Sequence, residues 1–304
     1  MPVLVPVPVP VLEIKNLQKT YRNDLQALKG IDLTVQSGDF YALLGKNGAG
    51  KSTTIGIITS LIKKTAGMVL INGFNLEKNP IEAKMHVGVV PQEFNFNAFE
   101  KVKDILINQA LYYGIPLHQA KKRADVLLAQ MNLLDKKEVS ARQLSGGMKR
   151  RMMIARALMH EPKILILDEP TAGVDIEIRQ AMWKFLKKIN LEGVTIILTT
   201  HYLEEAENLC NKIAIIDQGK ILIDTEMALI LRELEFETVI LEIENIKTGD
   251  RQILEKEIRK EQPLQVFIDE LKDQGFVIYR VRNKSNRLEQ LFMHLTEKNS
   301  GEKS

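Results

Sequence analysis

"FYALLGKNGAGKSTTIGII", residues 40–58, decides the fold. Five apolar residues of strand length run into a glycine-rich turn, and a helical pattern starts at once behind it. The spacing is G-x-x-x-x-G-K-[ST], with Gly45, Gly50, Lys51 and Ser52 at the fixed positions. Glycines let successive backbone amides turn inward around phosphate oxygens, and the helix behind them offers its positive end. Lys51 can reach the β- and γ-phosphates while the Ser52 hydroxyl ligates Mg²⁺. The stretch Gly45, Lys46, Asn47, Gly48, Ala49, Gly50, Lys51, Ser52, Thr53 therefore reads as a nucleoside-triphosphate loop.

Working outward, short apolar runs alternate with helical patterns: "VLEIK" at 11–15, "HVGVV" at 86–90, "ILILD" at 164–168, "VTIILTT" at 194–200 and "KIAIID" at 212–217. This alternation predicts an α/β sheet with parallel strands. Strand signals vanish between about 94 and 160, which predicts a helical insertion. Past "DQGKILIDT" the texture turns to dense charge, and a small α+β domain is expected at about 235–298. That leaves an ATPase-like domain at 11–230, a solvated Pro/Val leader at 1–10 and a tail at 299–304.

Strand 164–168 ends in Asp168, followed by Glu169 and Pro170. The sheet's carboxyl edge is where open α/β folds bind ligands. Asp168 would hold Mg²⁺, mostly through water. Glu169, where the chain turns, is the candidate to orient or deprotonate a water at the γ-phosphate.

Composition narrows the job. The 304 residues carry a net charge of +3 without a basic block, and aromatics are 6%; nucleic acid is not an expected partner. The apolar runs fall far short of the roughly twenty residues of a membrane-spanning helix. Cys210, the single cysteine, reads as an inert buried thiol.

A second candidate anion site lies at 144–158, "LSGGMKRRMMIARAL". A hydroxyl and two unobstructed amides open a helix there. Lys149, Arg150 and Arg151 oppose the dipole in its first turn, an arrangement that suits a docked anion.

These motifs, in this order, resemble the ATP-binding cassette (ABC) ATPases over about residues 11–225. The resemblance assigns Gln92 in "VVPQE" to the Q-loop and a place at Mg²⁺ and water. It assigns Leu144, Ser145, Gly146, Gly147 and Met148 to the signature, Asp175 in "AGVD" to the D-loop, and His201 in "LTTHYLEEAE" to the γ-phosphate switch. Tyr21 matches the aromatic that stacks on adenine. Catalysis is thereby expected of Glu169, His201 and Lys51, with metal ligation by Ser52, Gln92 and Asp168. The resemblance further implies a head-to-tail homodimer on ATP binding, in which Ser145 and Gly147 bind the γ-phosphate held by the other copy's Lys51. Met148 departs from the glutamine many members carry; a modest effect is expected.

The whole pattern is most similar to the ATPase subunits of bacterial type 2 ABC exporters, close to the YadG-like group. That implies a separate transmembrane permease, docked near residues 92–116, and a peripheral location at the cytoplasmic face of the inner (plasma) membrane. A soluble ABC ATPase acting on DNA or ribosomes is the rival reading.

Overall fold

The computed structural model describes residues 10–171, 176–200, 202–233, 236–259, 264–283 and 288. The chain divides into two compact units, Met1–Asp224 and Thr225–Ser304, a division that falls a few residues before the 230–235 boundary read from the sequence.

In the first unit, β1 (Pro10–Thr20) and β2 (Gln26–Gln36) precede β3 (Phe40–Leu44) and α1 (Lys51–Ile58). Next come β4 (Ala66–Ile71), β5 (Phe74–Asn75), α2 (Pro80–Met85) and β6 (Val87–Val90). The helices α3 (Val102–Tyr112), α4 (Leu117–Gln130) and α5 (Gly146–Ala157) follow before the chain re-enters the sheet as β7 (Ile164–Asp168). It continues through α6 (Ile176–Leu191), β8 (Thr195–Thr199), α7 (Leu203–Leu209), β9 (Lys212–Asp217) and β10 (Lys220–Glu226).

Two sheets result. The larger has the order β10-β9-β3-β8-β7-β6, with β3 parallel to both β8 and β9, and β7 parallel to β6 and β8. Every residue of β3 and β8 is buried, as continuous apolar runs require of strands covered on both faces. Because these five strands run the same way, β3, β6, β7 and β8 deliver their following loops to one edge. Gln218 and Gly219, with φ of 45° and 79°, form the two-residue turn between β9 and β10. The Gly219 N–H donates to Ala49 O at 2.9 Å, so that turn props the glycine-rich loop.

"VLEIK" does not join the parallel sheet. It lies in β1, antiparallel to β2 and β4 in a four-stranded sheet of order β2-β1-β4-β5. The link between β1 and β2 is too short for the crossover a parallel pair needs. Pro10, which the sequence reading gave to the leader, already pairs with Gln36; residues 1–9 lie outside the described residues, as does the tail. One buried cluster runs from Leu12, Ile14 and Val35 through Tyr41 and Leu43 to Ile57 and Ile166, fixing both sheets around α1.

The second unit contains α8 (Met227–Glu233), β11 (Phe236–Asn245), β12 (Arg251–Arg259), α9 (Leu264–Asp273) and β13 (Phe276–Asn283). Its sheet order is β12-β11-β13, antiparallel throughout. Leu264, Phe267 and Leu271, spaced three and four apart on α9, pack on Val239, Leu241 and Ile243 of β11.

Candidate nucleotide site

The loop after β3 has the backbone a phosphate cradle needs. Gly48 and Gly50 sit at φ of 79° and 120°, the left-handed region open to glycine. A Cβ at Gly45 would lie 2.4 Å from Ile216 O, so any side chain there would push the loop off the sheet. Lys46, Asn47, Gly48 and Ser52 are exposed, while Ala49, Gly50 and Lys51 are buried. Gly50 is the N-cap of α1 without a side-chain cap bond, and the first amides of a helix have no partner within it. Lys51 Nζ donates to Gly45 O at 2.6 Å and to Lys46 O at 3.1 Å. Burial pushes its pKa down, and the carboxylates of Glu169 and Asp168 pull it back up. Tyr21, half-buried, has its hydroxyl 3.3 Å from Thr53 Oγ1, and Lys19 Nζ lies 4.8 Å from its ring centre.

Asp168 and Glu169 emerge from the end of β7. Asp168 Oδ1 accepts a short hydrogen bond from Thr199 Oγ1 at the end of β8. Glu169 has φ of 47°, uncommon for a residue with a Cβ and costly by about 1–3 kcal/mol. Its N–H donates to Thr199 O at 3.0 Å, which holds it in that conformation. Its Oε2 accepts from Gln92 Nε2 at 3.1 Å, so residues 77 positions apart meet at the same sheet edge. Asp175 and His201 lie outside the described residues.

Ser52, Gln92 and Asp168 supply oxygen donors, the set a hard cation takes. Among the described residues no group of three or more His, Cys, Asp or Glu is arranged to hold a metal alone. Mg²⁺ bound through one carboxylate, waters and substrate phosphates fits such a site.

The 144–148 turn is built as a helix start. Ser145 is the N-cap of α5, its Oγ accepting from Met148 N–H at 3.3 Å. Ser145 and Gly146 are exposed, Leu144 is buried, and a Cβ on Gly147 would press to 3.0 Å of Ile178 on α6. The cations behave differently from the sequence reading. Arg150 is 4% exposed and donates to Pro91 O at 2.6 Å and Gln92 O at 2.7 Å. Arg151 donates to Met131 O at 2.7 Å. Two of the three thus turn to backbone carbonyls within the chain, and their charge is not spent on an anion at the helix start. Cys210 is buried, and burial raises its thiol pKa, as an inert role requires.

Sequence reading missed Glu205. It is 1% exposed, and its Oε1 accepts from Thr171 Oγ1 at 2.9 Å and Trp183 Nε1 at 3.2 Å. No local signal distinguishes it from the neighbouring acids of "LEEAE"; its partners come from two other elements.

A parallel sheet with this loop after β3, a carboxylate pair at the end of β7 and a glutamine reaching it defines a P-loop nucleoside triphosphatase. The family profile described as "ABC transporter" matches residues 28–172. The linearmycin resistance ATP-binding protein LnrL of Bacillus subtilis (strain 168) is 39% identical over 212 residues, covering 70% of this chain and 68% of that protein. The Nod factor export ATP-binding protein I of Cupriavidus metallidurans is 40% identical over 210 residues, 69% of each chain. Among solved structures, an ATP-binding subunit of an ABC transporter aligns with TM-score 0.68 and 30% identity over 73% of this chain and 92% of that one. The dimeric post-hydrolysis cassette MJ0796 with ADP and Pi aligns with TM-score 0.65 and 28% identity over 71% and 98%. The chain belongs to the ABC transporter ATP-binding family, and its chemistry is ATP hydrolysis. Among the described residues, no helix is long and apolar enough to cross a membrane.

Proposed function

We propose that two copies of this chain close head to tail over two ATP molecules and thereby drive a separate membrane permease, working as the engine of an exporter. The observation that carries this reading is the exposed, capped start of α5 at Ser145 and Gly146, a second helix start suited to an anion beside that of α1. Relatives named for Nod factor export support the export direction. The solved dimers of MJ0796 support the assembly.

The chain's own groups then divide the work. Amides of 45–53 and Lys51 hold the β- and γ-phosphates, and Tyr21 stacks on the adenine. Ser145 and Gly147 complete the site from the other protomer. Ser52, Asp168 and Gln92 would hold Mg²⁺, which would supply positive charge against the phosphate oxygens. Glu169 accepts the proton of the attacking water or orients it, Gln92 holds the Glu169 carboxylate in place, and His201 reads the γ-phosphate. Asp175 meets the other protomer beside it. The permease docks against the helical insertion, where Phe94, Phe99 and Tyr112 are 46%, 75% and 85% exposed beside a groove of about 240 Å³. The chain sits peripherally on the cytoplasmic face of the inner membrane.

Glu169→Gln tests the cycle. It should bind ATP, hydrolyse it about 10²–10⁴-fold more slowly and accumulate as a dimer by light scattering. A monomer at saturating ATP across a range of salt would overturn the sandwich. Co-sedimentation with membranes only when a multi-spanning partner is co-expressed checks the permease.

A further inference from the structure

Lys19 and Tyr21 stand two residues apart where β1 ends, and the strand period carries both side chains to one side. Lys19 Nζ lies 4.8 Å from the centre of the Tyr21 ring and donates to Lys63 O, past the end of α1, at 2.7 Å. The backbone around Lys19 is tied to the same stretch, with Thr20 N–H donating to Thr65 Oγ1 at 3.0 Å and Thr65 N–H to Gln18 O at 2.9 Å. An ammonium over an aromatic face is attracted by the negative face of the ring. Its hydrogen-bond partner is a neutral carbonyl, so that bond leaves the charge uncancelled.

The backbone of Tyr21 is fixed as well. Its N–H donates to Leu25 O at 2.9 Å, and its carbonyl accepts from Asp24 N–H at 3.0 Å. Rotation of the side chain is the freedom that remains, and two contacts restrict it. The hydroxyl sits 3.3 Å from Thr53 Oγ1 in the first turn of α1, and the Lys19 ammonium stands over the ring. We infer that Lys19 is a positioning residue for the nucleotide base: it takes one face of Tyr21 and leaves the opposite face as a platform whose angle the chain itself sets. This deepens the reading of Tyr21 as the stacking partner of adenine and rests on it.

The gain is one of preorganisation. A base that stacks on a free ring has to order that ring as it binds, whereas a ring already held between a hydroxyl contact and a cation has less freedom to lose. Lys19 is itself only partly exposed, its aliphatic stem lying along the chain while the charged head reaches out. Methionine at 19 would keep most of that stem and remove the cation. Arginine would keep a cation that can cover the ring and donate to Lys63 O.

The test is a double-mutant cycle on the full chain, read as the Kd for ADP by titration calorimetry, since ADP carries the same base and is not hydrolysed. Tyr21→Ala should weaken ADP by about tenfold, the scale of one base stacked on an aromatic ring. Lys19→Met should weaken it about threefold, the scale of one part-exposed cation–ring contact, and Lys19→Arg should recover most of that loss. Adding Lys19→Met to Tyr21→Ala should cost nothing further, because the cation acts through the ring. In steady-state ATP hydrolysis the loss should fall on KM and not on kcat. Wild-type ADP affinity in Lys19→Met overturns the proposal, and so does a threefold loss that persists beside Tyr21→Ala, which would mean that Lys19 acts on the phosphates or on the strand alone. Both results leave the stacking reading standing. Wild-type affinity in Tyr21→Ala removes the stacking reading itself and the role of Lys19 with it.

Discussion

Removing the Glu205 carboxylate should destabilise the first unit far more when it is replaced by alanine than by glutamine. Glu205 lies in the first turn of α7, 1% exposed, and one oxygen serves both Thr171 Oγ1 and Trp183 Nε1. Glu205→Ala leaves both donors without an acceptor, and Thr171 is fully buried. At about 1–3 kcal/mol for the unsatisfied buried Thr171 donor, with less from the part-buried Trp183 Nε1, the loss is at least about 1–3 kcal/mol, a sizeable part of the roughly 5–15 kcal/mol that holds a domain folded. Glu205→Gln keeps an acceptor oxygen of nearly the same shape and should lose little. The pH dependence separates the two further. Burial raises the folded-state pKa of Glu205 above its ordinary 4.5. Below that ordinary value the carboxyl is protonated in both folded and unfolded chains. As pH climbs through the raised folded value, the wild type sheds stability that the glutamine variant keeps. The glutamine variant should therefore gain on the wild type as pH rises above 4.5. Urea midpoints read by fluorescence suit the question, because the single tryptophan is itself a member of the network. Alanine and glutamine variants within about 0.5 kcal/mol of each other, or a glutamine variant that loses ground as pH rises, would refute the reasoning.

Two further outcomes follow from particular contacts. Met148→Gln should leave ATP turnover within about threefold, less than a 1 kcal/mol change in barrier, because Met148 serves the Ser145 cap with its backbone N–H; a loss of orders of magnitude in steady-state hydrolysis would refute this. His160 stacks on Tyr113 with ring centres 3.7 Å apart and has a ring nitrogen 3.1 Å from Val87 O; burial lowers its pKa from 6.5 to about 4. Its folded value being depressed, it contributes stability above pH 6.5 that drains away as pH falls toward 4, and His160→Phe should flatten that part of the urea-midpoint profile.

The sheet was legible where the burden on each strand was simple. Fully buried runs such as "FYALL" and "ILIL" have to be apolar throughout, and that shows in the sequence. β1 and β2 were harder. They are long, half-buried and irregular in register, with shifts at Ile14/Leu17 and Lys19/Thr20. Their mixture of apolar and charged residues does not say which sheet they join. Only the brevity of the 21–25 link does so, and that brevity has meaning once both strands are known to pair.

The nucleotide loop was legible for a related reason: its chemistry is done by backbone, and backbone geometry leaves a mark as glycine at fixed spacing. The helix start at 144–158 yielded only half its meaning. Ser145, Gly146 and Gly147 could be read for what they offer, because a cap and two bare amides act locally. The cations behind them could not, since a guanidinium reaches about as far as a neighbouring element, and sequence spacing does not record where it lands. Positive charge at a helix N-terminus opposes the macrodipole by about 0.3–1 kcal/mol per exposed residue, and the sequence alone invites the guess that an anion compensates. In the fold, Arg150 and Arg151 are compensated by carbonyls of Pro91, Gln92 and Met131. The compensation thus comes from inside the chain, from carbonyls on other elements that sequence spacing does not locate.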